Sequence, residues 1–133
     1  MAELKSFRDL NVYKKARTEV KTLFLITRSF PKDERFSLTD QVRRSSRAVK
    51  AMVAEAWAKR RYQAAFISKI NDAIGEAMET QSWLDDALDC GYIDQAEFDQ
   101  RDAEWQHIGG MLNRMIERAD DFCRTSSVRE EEP

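Results

Sequence analysis

Residues 94–123 read DQAEFDQRDAEWQHIGGMLNRMIERADDFC. Within this stretch Phe98, Arg101, Trp105, Ile108, Leu112, Met115, Ala119 and Phe122 recur at alternating steps of three and four. That spacing puts them on one side of an α-helix, with Arg101 as the single charged member. A 3-4 seam held over this length suits helices that run nearly antiparallel and cross at a shallow angle. Asp94-Gln95-Ala96-Glu97 has the spacing of a capping box, with Asp in place of Ser or Thr. The helix is therefore expected to start there and to run to about Cys123.

Upstream, Gly91 marks the end of another helix, because glycine takes the left-handed C-terminal position at least cost. That helix is predicted from about Tyr62 to Cys90, with Phe66, Ile70, Ile74, Ala77, Gln81, Leu84 and Leu88 in register. A second-helix pattern starts near Leu38 or Thr39 and runs to about Arg60, with Leu38, Val42, Ser45, Val49, Met52, Val53 and Ala56 inside. No proline separates these two, so the turn is placed near Lys59 to Gln63 on pattern alone. The first helix is read from about Leu10 to Ser29, with Val12, Tyr13, Ala16, Val20, Leu23, Phe24 and Thr27 on one face. Phe30-Pro31 closes it, since a residue before proline is pushed out of helical geometry. No stretch alternates as a strand would. The expectation is an all-α chain, an up-down-up-down antiparallel four-helix bundle over residues 1–123, followed by a disordered acidic tail at 124–133.

The composition agrees. With 133 residues there is room for one domain, and 35% charged residues with four Gly and two Pro describe long solvated helical faces. Cys90 and Cys123 read as two reduced thiols. No apolar run approaches the roughly 20 residues that span a bilayer. Residues 1–8 hold no signal-peptide core, and the expected location is the cytoplasm.

Net charge is −2, yet the halves differ sharply. Residues 1–61 carry 16 Lys/Arg against 7 Asp/Glu, a net of +9, and residues 62–133 carry 6 against 17, a net of −11. Such halves attract each other within one chain, attract neighbouring copies, or leave a basic side for a polyanion. A head-to-tail contact between copies makes a ring when the rotation closes, so a homo-oligomer is expected. Leu25 and Ile26, which cannot both centre one stripe, and Trp57 and Trp83, beside their stripes, are candidate subunit contacts. Packing at the core margin is the competing account of all four.

The strongest local signal is basic. Arg43, Arg47 and Lys50 lie at i, i+4 and i+7, Arg44 stands beside them, and Lys59, Arg60 and Arg61 follow. Cations on one rigid face can meet successive phosphates of a nucleic acid or the carboxylates of an acidic protein. Solvation, pairing with the acidic helices and inter-subunit contact are the alternatives. For Arg44 a structural ion pair with Glu55 or Glu79 is the preferred reading.

Catalytic signatures are weak. Glu104-x-x-His107 has the spacing used in di-iron bundles, but such sites need two of these motifs and two more carboxylates, and the chain has one histidine. Asp85-Asp86 and Asp120-Asp121 are adjacent on helices, so their side chains diverge. No phosphate-binding loop or zinc spacing occurs. The expectation is a protein that is not an enzyme, with no metal, no cofactor and no small-molecule substrate.

Phe7-Arg8-Asp9-Leu10-Asn11-Val12-Tyr13-Lys14-Lys15-Ala16 resembles the opening of the four-helix-bundle family encoded in intervening sequences of bacterial 23S ribosomal RNA genes. The accessory variability determinants of diversity-generating retroelements belong to the same group. Phe30-Pro31 with Glu34, and Leu38-Thr39-Asp40-Gln41-Val42-Arg43-Arg44, resemble two further signatures of that family. Ala54-Glu55, Gly75, Glu79-Thr80, Trp83-Leu84, the run Ala87 to Ile93, and Met111-Leu112-Asn113 extend the likeness over roughly residues 7–118. The family's Pro, Asn and Gly between the second-helix arginines and the third helix are absent from Ala48 to Ala56, and its Gly-Ser pair is Gly75-Glu76. The resemblance implies a ring of five subunits. In the retroelement branch it implies association with a reverse transcriptase and nucleic acid, and for most of the family no activity is established. The resulting expectation is a non-enzymatic oligomeric adaptor that binds nucleic acid or protein through its basic surface. The alternative is a purely structural homo-oligomer from a mobile element, with no nucleic-acid role.

Overall fold

The computed structural model describes residues 3–123. Four long helices follow one another: α1 (Asn11–Thr27), α2 (Leu38–Ala58), α3 (Gln63–Asp89) and α4 (Gln95–Glu117). A 3-10 turn at Phe7–Asp9 precedes α1, and another at Lys32–Glu34 precedes α2. Tyr13 meets Lys50, and Thr27 meets Arg43, so α1 and α2 run in opposite senses. The Ser45–Thr80 and Glu55–Lys69 contacts set α2 against α3 in the same way. Gln81 with Asp102 and Phe66 with Phe122 do so for α3 and α4. Lys15 with Glu104 and Glu19 with Arg101 close α4 back onto α1. The result is the expected up-down-up-down bundle around one core, whose largest fully buried side chains include Trp105, Phe66, Leu23 and Ile70.

Local chemistry fixes the ends. Ser6 Oγ accepts from the Arg8 amide at 3.1 Å while Asp9 Oδ2 accepts from the Ser6 amide at 3.0 Å, a reciprocal cap before α1. Hydrogen bonds hold Asp9 below the ordinary carboxylate range, that from the Lys5 amide foremost. The start of α2 takes its cap from upstream, where Glu34 Oε1 accepts from the Leu38 amide at 3.2 Å. Glu34 Oε2 accepts from the Tyr92 hydroxyl at 2.8 Å, and that bond pushes the phenol up to about 12. Gly91 has φ +77°. The Tyr92 amide bonds Ala87 O at 2.8 Å and the Gly91 amide bonds Leu88 O at 3.0 Å, which satisfies the end carbonyls of α3.

Several expectations need correction. Asp94 Oδ1 accepts from the Glu97 amide at 2.8 Å, but Glu97 turns its carboxylate to Arg101, so half of the predicted capping box forms. The helix expected to reach Cys123 without a break is interrupted at Arg118, and helical residues 119–123 follow. The first stripe is misread by one position: Glu19 is buried, Val20 is half-buried and Phe24 is exposed. Met52, Gln81, Leu88, Phe98 and Phe122 are half-buried margins, not centre. The tail at 124–133 lies outside the described residues.

Candidate functional site

The basic residues divide by what they touch. Arg43 leans across the α1–α2 seam: its Nε donates to Thr27 Oγ1 at 2.9 Å and its guanidinium lies 4.6 Å from the Phe24 ring centroid. Partial burial lowers its affinity for a proton, and the charges of Arg47 and Arg28 add to that effect. The three arginines thus sit within one another's field. Arg44 points the other way, to α3, where its Nη2 donates to Glu79 Oε2 at 2.6 Å and its Nη1 lies 3.8 Å from Glu76 Oε1. Glu79 is one of the two carboxylates that the sequence offers Arg44. Desolvation and the neighbouring Glu79 hold Glu76 above the ordinary range.

Arg47 is exposed, with no hydrogen bond or ion pair among the described residues. Lys50 stands 5.8 Å from the Tyr13 ring centroid on the same side of α2. Helical geometry places Arg17 of α1 beside this row, and Arg28, just past the end of α1, is close enough to act on Arg43. Glu19, the one acid of α1, faces α4, and Glu55 of α2 faces α3. The α1–α2 face therefore gathers Arg17, Arg28, Arg43, Arg47 and Lys50, against Asp40, an exposed acid in the first turn of α2 on the same side as Arg43 and Arg47.

A second basic feature closes the far end of α2. Residues 57–62 and Ala65 line a half-open hollow of about 430 Å³. The Arg60 guanidinium stacks 3.5 Å from the Trp57 ring centroid, and its Nε donates to Trp57 O at 2.8 Å. Lys59 and Arg61 are exposed, and Tyr62 is 67% exposed. Cations beside an open aromatic ring can hold a phosphate and stack a base.

Of the candidate subunit contacts, Leu25 is 51% exposed, whereas Ile26, Trp57 and Trp83 are half-buried against the core. Sequence reading missed a longer surface. Ala64, Ser68, Asn71, Gly75, Met78 and Ser82 are all exposed along the outside of α3 and none is charged. Gly75 has open space where a Cβ would stand. Small uncharged residues give no hydropathy signal, so only their shared face reveals them.

The Glu104-x-x-His107 motif takes no joint position. Glu104 pairs with Lys15, which holds its carboxyl below the usual range, and His107 lies in solvent. No group of three or more His, Cys, Asp or Glu side chains is placed to hold a metal among the described residues. Nor, among them, is any helix long and apolar enough to cross a membrane.

Comparison with known proteins joins these observations to a family. A crystal structure of a protein of unknown function from the S23 ribosomal protein family of Bacteroides thetaiotaomicron is similar, at a TM-score of 0.72 and 24% identity. The likeness covers 80% of this chain and 95% of that one, and it speaks for the bundle alone. No curated protein matches. The family model for the 23S rRNA-intervening sequence protein matches residues 8–114, which span all of α1 to α3 and most of α4, and the chain belongs to that family.

Proposed function

We propose that this chain is a cytoplasmic, non-enzymatic binding protein that assembles into a homo-oligomeric ring and offers its α1–α2 face to nucleic acid. One observation carries the reading: Arg17, Arg28, Arg43, Arg47 and Lys50 share a face on which α2 sets a single acid, Asp40, so cations outnumber it five to one. Like charges held this close cost free energy unless a polyanion neutralises them. The uncharged outer stripe of α3 supplies a face for a second subunit. Five subunits follow from the family resemblance.

The alternative, a structural oligomer with no nucleic-acid role, draws on Arg43 and Arg44, since both are already engaged inside the chain. Fluorescence anisotropy with a labelled single-stranded RNA separates the two. Binding should weaken about tenfold or more between about 50 and 200 mM KCl, as release of counterions from three or more contacts requires. Arg47→Ala with Lys50→Ala should remove most of it while leaving the thermal midpoint in place. No binding at the lower salt ends the nucleic-acid reading. Light scattering that reports a monomer at physiological salt ends the ring.

A further inference from the structure

We propose that Glu130–Glu132, the acidic run in residues 124–133, docks in the hollow at the α2–α3 turn and competes there with an incoming polyanion. The competition rests on the nucleic-acid reading above; the docking stands apart from it. The geometry begins with where the chain leaves the bundle. Phe122 stacks on Phe66 of α3 at 5.7 Å between ring centroids. Arg60 lies close enough to Cys123 for its charge to act on the thiol, although burial dominates and raises that group. The last described residue therefore sits beside the hollow lined by Trp57, Lys59, Arg60, Arg61 and Tyr62.

Reach and charge do the rest. Glu130 comes seven positions after Cys123, and an extended chain over seven steps spans up to about 23 Å. Every point of a four-residue turn falls within it. Three consecutive cations, Lys59-Arg60-Arg61, match in number three consecutive anions, Glu130-Glu131-Glu132. A tether this short gives an effective concentration on the order of millimolar, so a contact too weak to form between separate molecules is populated within one. Both the docking and the binding it opposes are electrostatic, and salt weakens them together.

The test compares the whole chain with its E130Q/E131Q/E132Q variant. Amide resonances of Lys59 to Tyr62 should differ between the two at low salt and converge at high salt. A zero-length carbodiimide should join Lys59 to residues 130–132, and in a mixture of light and heavy isotope-labelled chains the product should be within single chains. Amides that do not move, or a cross-link found only between chains, would overturn the docking. Labelled single-stranded RNA should bind the variant about three- to tenfold more tightly. D85N/D86N/D89N, which removes equal charge at the opposite end of α3, should stay within about twofold of the natural chain if competition, not net charge, is at work. An equal gain in that control overturns the competition. RNA binding with unmoved amides sinks the docking and leaves the nucleic-acid reading standing. Moved amides with no RNA binding do the reverse.

Discussion

The α2–α3 and α1–α4 seams join helices by opposite chemistries. Between α2 and α3 the inner residues are small: Ser45, Ala56, Ala73, Ala77 and Thr80 are all buried, and Ser45 and Thr80 share a 2.8 Å hydroxyl bond. Charges stay outside, as Arg44–Glu79 and Lys69–Glu55. Between α1 and α4 the order is reversed, because Glu19 and Arg101 form a 2.9 Å pair inside, each under a tenth exposed. Glu97 Oε2 lies 3.1 Å from Arg101 Nε, without hydrogen-bond alignment, and Glu19 Oε1 has no hydrogen-bond partner among the described residues. One seam is held by close approach. The other depends on two desolvated charges that each need the other.

The largest expected effect follows from that dependence. Arg101→Met strands the Glu19 carboxyl and should cost about 3–5 kcal/mol in urea unfolding. Adding Glu19→Leu should recover most of the loss, because a well-packed apolar pair of similar volume replaces buried charges at little cost. If the double variant stays as unstable as the single one, the seam does not work as described. The matching test of the other seam is Ala77→Leu, which overfills a fully buried position and should cost about 1–3 kcal/mol. An effect below that range would mean that α2 and α3 have room to part.

Acidity sharpens the contrast further. Burial raises Glu19, although Arg101 opposes the shift. The native chain therefore holds this proton more tightly than the unfolded chain. Stability from Glu19 is full below its unfolded value and is lost as pH rises through the raised one. Glu104, lowered by Lys15, acts with opposite sign: its contribution is present above the unfolded value and is lost as pH falls. Urea midpoints across pH 4–8 should decline less for Glu19→Gln than for the natural chain. A parallel decline assigns the slope to other groups. The smallest effect belongs to Arg44→Ala, about 1 kcal/mol or less, because half of that side chain is solvated.

How legible each seam was follows from its chemistry. The 3-4 spacing of large apolar residues on α4 stated the fold outright, and Arg101 stood out as the charge within it. Its partner did not. From Ala16 to Leu23 the steps through Glu19 or through Val20 both keep helical spacing, and hydropathy favours valine. Only the position of α4 decides for Glu19. The basic run was plain in the sequence, but adjacent Arg43 and Arg44 face different neighbours, a division that needs the bundle's rotation to be known. The break at Arg118 has no Gly or Pro to announce it.

Glu34 has a reach beyond its own turn. One of its oxygens starts α2 and the other receives Tyr92, which lies 58 positions later and also packs its ring 5.2 Å from that of Phe30. The two connections at that end of the bundle are thereby made into one cooperative unit. Hydrogen exchange at the Leu38 amide should report on the α3–α4 turn as much as on its own. Tyr92→Phe, which removes the hydroxyl that Glu34 receives, should hasten it.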